Sequence, residues 1–216
     1  MPDFALQRLN MIEAQVRTND VTDPRIHAAL ANVARERFVP AAKRALAYAD
    51  VPVEVSPGRY LLDPRTFAKL VALAEVLPTD RVLDVGCATG YSSAVLSRLA
   101  HSVIALEQDA DLVRMASELL PATGGKVTVT AGTLNQGFKA KAPYDVILVN
   151  GALAGPPNAL LSQLAEGGRL VAVIAEGVRS QAVRFVREQG GIGSRPGFDA
   201  SVPVLVGFSK TVGFVF

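Results

Sequence analysis

The sequence predicts an α/β fold: a mostly parallel, twisted sheet with helices on both faces, preceded by an N-terminal helical extension. Three observations carry the prediction. From residue 63 onward, short apolar runs that suit buried parallel strands alternate with stretches of helical period. Two of those runs end in an acid, Val82-Leu83 in Asp84 and Ser102–Leu106 in Glu107. Between the first run and its helix lies Gly86-Cys87-Ala88-Thr89-Gly90, and strand, glycine turn and helix together form the unit that holds nucleotide-like ligands.

Taken in order, residues 3 to 17 read as an amphipathic helix with Phe4, Leu6, Leu9, Ile12 and Val16 on one side. Asp23-Pro24 is an N-cap followed by proline at the first helical position. The helix it opens carries Ile26, Leu30 and Val33, and His27 on it reads as a surface or hydrogen-bonded histidine rather than a ligand. Phe38-Val39-Pro40 breaks the pattern before a short helix at Ala41–Tyr48. This prefix is too small to be a domain, so residues 1–62 are expected to form an extension and a loop that pack on a ligand-binding α/β domain of residues 63–216.

Residues 51 to 62 contain Pro52, Pro57 and Gly58 and read as a loop with short extended pieces. Asp63-Pro64 repeats the capping signal for a helix through Phe67, Leu70, Val71 and Ala74 to Leu77. The strand at Val82–Val85 follows, then a helix bearing Tyr91, Val95, Leu96 and Leu99 on one face. Ser102–Leu106 is strand, Asp109–Leu120 helix, Val127–Thr130 strand, and Tyr144–Asn150 a strongly apolar strand. Pro157–Leu164 is expected as helix, Gly168–Ile174 as strand and Ser180–Glu188 as helix, with last strands near Ile192 and from Val202 to Phe208. In such a sheet ligands sit beyond the carboxyl ends of the strands, so the loops after Val85, Leu106, Thr130 and Val149 should converge on one site.

Composition narrows the function classes. Half of the 216 residues are hydrophobic, enough for a sizeable core, and mean hydropathy is +0.28. No apolar run is long enough to span a bilayer, and Met1-Pro2-Asp3 does not open a signal peptide. The net charge is only +2, with Lys and Arg scattered rather than striped, which argues against nucleic acid. A single cysteine excludes an internal disulfide and suits the cytoplasm. No metal site is expected.

The bend itself selects among ligands. Its glycines let the backbone approach a ligand closely, and the helix start offers unpaired N–H groups to an anionic group. A dinucleotide fingerprint fails, because Ala88 holds its middle position and Tyr91 its third glycine; a phosphate P-loop is absent. Asp84 alone reads equally as a turn acid, and Glu107 alone as an N-cap ahead of Gln108-Asp109. Together, about 20 residues apart at the ends of neighbouring strands, they favour a nucleoside whose ribose hydroxyls an acid accepts. The candidate contacts are Asp84, Gly86, Cys87, Ala88, Gly90, Tyr91, Glu107 and Gln108, with Thr133, Leu134 and Asn150 from the ends of the next two strands. Cys87 reads as a small space-filler with no histidine near it in sequence, and Ala88 is a mild departure provided its φ stays negative.

Asp84, Gly86 and Gly90 resemble motif I of the class I S-adenosylmethionine (SAM) methyltransferases, with Ala88 in place of a central glycine. That resemblance implies a Rossmann-like fold and SAM as cofactor. Nearly the whole chain resembles one family, the protein-L-isoaspartate O-methyltransferases. The blocks that carry it are Met11–Arg17, Asp23-Pro24-Arg25-Ile26, Arg35–Pro40, Ala47–Asp50, Arg81–Leu96, Ala142–Asp145 and Leu164–Val171. The resemblance implies methyl transfer to the carboxylate of isoaspartyl residues in damaged proteins or peptides. A cytoplasmic monomer or homodimer that binds neither nucleic acid nor membrane is expected.

The departures cluster in the substrate loop, Gly58-Arg59-Tyr60-Leu61-Leu62-Asp63-Pro64. Tyr60 stands for the family's threonine, and Leu62 for a serine near the reacting groups. Thr133 replaces the acid that meets the adenine amino group, and Gly213–Phe216 follows the family's terminal strand only loosely. Arg59, Tyr60, Leu61 and Leu62 are the substrate-loop candidates. Arg59 either pairs with a carboxylate or is an exposed loop arginine. A carboxylate acceptor is ionised at pH 7 and needs no general base. The rewritten loop keeps two alternatives open: a SAM enzyme with a different acceptor, such as a small apolar or phenolic molecule, and a SAM-binding protein without turnover. A nicotinamide-dependent oxidoreductase is opposed by the glycine spacing.

Overall fold

The computed structural model describes residues 3–176 and 179–208. A two-stranded hairpin, β1 (Val53–Ser56) and β2 (Arg59–Leu61), precedes a seven-stranded sheet. Its strands are β3 (Arg81–Val85), β4 (Ser102–Glu107), β5 (Val127–Ala131), β6 (Tyr144–Leu153), β7 (Leu164–Glu176), β8 (Arg179–Glu188) and β9 (Gly191–Asp199). The α-helices are α1 (Phe4–Met11), α2 (Pro24–Ala31), α3 (Pro64–Ala74), α4 (Tyr91–Leu96), α5 (Ala110–Leu119) and α6 (Asn158–Leu161). The sheet order is β5-β4-β3-β6-β7-β8-β9, parallel from β5 to β7 and antiparallel beyond.

Period-two alternation divides the core. Val82, Val146, Leu148 and Val171 join a cluster with Leu70, Val95, Leu112 and the prefix residues Met11, Ile12, Leu30 and Phe38. Leu83, Val85, Ile147, Val149 and Leu170 face the other way, against Leu134, Leu160, Leu161 and Leu205. The prefix and α2 to α5 thus cover one face, while α6, short turns and the segment after β9 cover the other.

The capping signals work as their chemistry dictates. Asp23 accepts from the Arg25 N–H, Asp63 from Thr66, and Asp109 from Asp111 and Leu112. His27 is satisfied by the Val21 carbonyl at 2.7 Å. Residues 51–62, expected as loop with extended pieces, pair as the β1–β2 hairpin around Gly58, whose φ is +69°.

Several expectations are corrected. Ser180–Glu188 is not helix but strand β8. Val183, Phe185 and Val186 favour extended backbone, and the segment pairs antiparallel with β7 from Glu176↔Arg179 to Arg169↔Val186. Residues 3–17 are not one continuous α-helix: α1 ends at Met11 and a π-helical turn runs Ile12–Val16. Of the residues placed on the apolar side, Ile12 and Val16 are buried, together with Met11, whereas Leu6 and Leu9 are each 53% exposed. The helix expected at Pro157–Leu164 is only Asn158–Leu161, since Leu164 already opens β7. Val202–Phe208 makes no regular strand; Val204 forms a single bridge to Ala152, with Pro203 beside it. Gly213–Phe216 lies outside the described residues.

Candidate site at the carboxyl ends of β3, β4 and β6

The parallel run β5-β4-β3-β6 brings the four predicted loops to one edge. The bend after β3 is tied to its neighbour, with the Gly86 and Cys87 N–H groups donating to the Leu106 carbonyl at 2.9 and 3.2 Å. Ala88 has φ +50°, contrary to the expected negative value. A side chain there is strained, at about 1–2 kcal/mol. The compensation is visible: in that conformation the Ala88 N–H donates to Glu107 Oε2 at 2.9 Å. Gly90, at φ +98°, precedes α4 and packs against Leu120, so a Cβ there would stand 2.9 Å from Leu120 Cδ1.

The two acids have different surroundings. Asp84 lies beneath the bend, fully buried. Its Oδ2 accepts from Ser92 Oγ at 2.6 Å and Ser93 Oγ at 2.5 Å, and its Oδ1 from Asn150 Nδ2 at 2.7 Å. Burial pushes its pKa up against those three donors. Glu107 is also fully buried, but its carboxylate turns toward the bend. Oε1 accepts from the Gln108 and Asp109 N–H groups at 2.7 and 3.1 Å. Arg59 reaches both oxygens, Nη1 to Oε1 at 2.5 Å and Nη2 to Oε2 at 2.6 Å.

Arg59 is delivered by strand alternation: Arg59 and Leu61 of β2 point inward and are buried, while Tyr60 lies opposite Glu54 and is half-buried. Over the bare face of Gly86, a Cβ would meet Leu205 Cδ1 at 3.0 Å and Arg59 Nη2 at 3.5 Å. Leu205 is fixed there by its N–H to the Ala152 carbonyl, 2.9 Å. The cavity left among Tyr60, Leu62, Gly86, Ala88 and Asn150 is about 10 Å³, room for about one water.

The other predicted residues fall into two groups. Gly86, Cys87, Ala88, Tyr91 and Asn150 line that cavity with Tyr60, Leu61 and Leu62. Cys87 is buried, its thiol pushed well up by desolvation and the neighbouring acids, which suits a space-filler. Tyr91 is buried between Phe38 and Phe67, ring centroids 5.8 and 5.5 Å away. Away from the cavity, Gln108 and Thr133 are exposed and Leu134 is buried, its N–H 3.5 Å from Gln108 Oε1.

Residues that sequence reasoning missed support this arrangement. Ser92 and Ser93 are legible in hindsight, since a helix starting above a strand end presents its first turn to that strand's acid. Arg35 had no such signal. It is wholly buried, donates to the Ala47 and Leu62 carbonyls at 2.6 Å each, and stacks 4.6 Å over the Tyr91 ring. With Thr89 Oγ1 donating to the Phe38 carbonyl at 2.6 Å, it clamps the prefix to the bend.

The donor and acceptor set fits an adenosyl group: a backbone-fixed carboxylate beside a side-chain-free glycine. Only the space over Gly86 is taken, by Arg59 and Leu205. Among the described residues no cluster of metal-binding side chains occurs, and no helix is long and apolar enough to cross a membrane.

Comparison with known proteins identifies the family. Residues 7–196 match the family model for protein-L-isoaspartate(D-aspartate) O-methyltransferase. A protein-L-isoaspartate O-methyltransferase of Koribacter versatilis is 39% identical over 189 residues, 87% of this chain and 85% of that one. One from Protochlamydia amoebophila is 37% identical over 180 residues, 82% and 86% of the two chains. A crystal structure of a protein described as a putative isoaspartate methyltransferase of Plasmodium falciparum, in complex with S-adenosyl-L-homocysteine, superposes with TM-score 0.79 at 22% identity, covering 95% of this chain and 99% of that one. On the strength of the family match and of relatives that share its length, this chain belongs to the protein-L-isoaspartate(D-aspartate) O-methyltransferase family.

Proposed function

We propose that this chain is a cytoplasmic SAM-dependent methyltransferase that esterifies the free carboxylate of isoaspartyl residues in damaged proteins. The observation that carries the reading is Glu107, a buried carboxylate fixed by three backbone N–H groups beside the bare Gly86. Glu107 would accept from the ribose hydroxyls, and Gly86, Ala88 and Asn150 would line the adenosyl group. Thr133 and Leu134 would approach the base from the β5 end. Bound there, SAM supplies an electrophilic methyl on sulfur.

What the chain itself contributes is positioning and a dry pocket. Asp84 supports the bend from below through Ser92, Ser93 and Asn150. Leu61 and Leu62, both buried, exclude water on the acceptor side. An isoaspartyl carboxylate arrives ionised and asks for hydrogen-bond donors rather than for a base. Leu62 offers no side-chain donor, which predicts slow turnover, because one lost transition-state hydrogen bond costs on the order of 10²-fold in rate.

The experiment is tritiated-methyl transfer from SAM to an isoaspartyl peptide. Counts above a no-peptide blank are expected, with a rise of tenfold or more in Leu62→Ser. A blank-level result for both proteins rejects the isoaspartyl reading.

A further inference from the structure

Glu107 carries more donors than a carboxylate has places for. Its two oxygens offer about four lone-pair sites. Five N–H groups already point at them: the Ala88, Gln108 and Asp109 amides and the two Arg59 nitrogens. A ribose diol brings two further O–H donors, and the carboxylate keeps its present load of five only if they take the places of two donors already there. The three amides are fixed by the bend and by the start of α5. The two guanidinium nitrogens are the donors of the five borne on a side chain, and so the pair that can leave without unmaking the sheet edge.

Its placement is that of a ligand. Two parallel N–H bonds meet one carboxylate, as a cis-diol's two hydroxyls do. Nη2 stands over the side-chain-free face of Gly86, 3.5 Å from where a Cβ would be. The remaining cavity is about 10 Å³, against roughly 300–1,000 Å³ for a small-molecule site. The arginine comes from a hairpin of two short strands, β1 and β2, outside the main sheet.

We propose that Arg59 is an internal competitor for the cofactor. Its guanidinium holds Glu107 until the ribose displaces it, so this residue sets SAM affinity and couples cofactor entry to movement of the β1–β2 hairpin. The proposal rests on the reading of Glu107 as the ribose acid. It assigns Arg59 no contact with the reacting atoms.

Calorimetry of S-adenosylhomocysteine with the full chain, Arg59→Gln and Arg59→Lys tests it. Arg59→Gln should bind at least tenfold more tightly than the unchanged protein, with Arg59→Lys between, since lysine keeps the charge but not the fork. Equal or weaker binding in both variants overturns the competitor role and leaves the cofactor reading standing. No binding to any of the three proteins sinks both. Should the variants melt before they can be titrated, the unchanged protein decides. With 15N-arginine, the Nη–H signals of Arg59, held apart by the fork, should merge on saturation with S-adenosylhomocysteine. Signals that persist in a saturated protein refute displacement.

Discussion

At Asp84 a carboxylate sits wholly out of water with a neutral donor on each side, from Ser92, Ser93 and Asn150. Desolvation outweighs those donors and raises its pKa above the ordinary 3.8, with Glu107 nearby adding to the rise. A pKa raised by folding means the native state holds that proton more tightly than the unfolded chain. The stabilisation is therefore complete below the unfolded pKa and is lost as pH climbs through the native one. Asparagine removes the titration and keeps the shape. The stability of the unchanged protein minus that of Asp84→Asn should accordingly fall as pH rises from about 4, the ordinary aspartate pKa, toward 7. Guanidinium unfolding at several pH values reads this directly, and a difference that stays flat with pH rejects the assignment. Cys87, beside these acids, has its thiol pushed the other way from reactivity and belongs to the packing.

Among the elements, α3 ends where its carbonyls need partners, and β7 supplies them. Arg169 donates to the Ala74 carbonyl at 2.7 Å and the Glu75 carbonyl at 2.5 Å, and pairs with Asp80 Oδ2 at 2.6 Å. Asp80 in turn accepts from the Leu77 N–H at 2.7 Å. One side chain thus closes a helix end, holds the turn into β3 and neutralises a buried acid. Replacing it by alanine leaves Asp80 buried without its cation, and Arg169→Ala should lose about 3–5 kcal/mol of stability. The expected signature is a lower denaturation midpoint at unchanged slope; a loss under 1 kcal/mol would mean that water serves those groups as well. The hairpin is a lesser element by size, yet its alternation decides which side chain meets Glu107.

For the molecule as a whole, the prefix is part of the core. Met11, Ile12, Val16, Ile26, Leu30, Val33 and Phe38 share one apolar cluster with Val82, Val95 and Leu112. Arg35, through the Leu62 carbonyl and the Tyr91 ring, and Thr89, through the Phe38 carbonyl, add ties across the same boundary. Removing residues 1–50 would bare the faces of α3 and α4 on which the prefix packs, an apolar patch larger than soluble monomers expose. Such a truncation should show no cooperative melting and should aggregate, whereas a sharp transition near that of the full chain would show that the sheet and its own helices stand without the prefix. At the far edge, β9 is mostly exposed and carries Pro196, a residue that blunts edge pairing.

Most strand and helix identity between residues 63 and 174 and the convergence of four loops at one sheet edge were legible in the sequence, because apolar period and capping chemistry are local properties. Ser180–Glu188 was misread because Arg184, Arg187 and the valines fit either period, and only pairing with β7 chose the strand. Ala88 was misread because its positive φ is held by a hydrogen bond to an acid 19 positions away. The Arg59–Glu107 pair joins residues 48 positions apart, and Leu205 reaches Gly86 from the far end of the chain. Sequence alone determined the parallel sheet and the edge at which its loops meet. The tertiary structure decided which side chains occupy it, since contacts between distant segments depend on how the sheet brings them together.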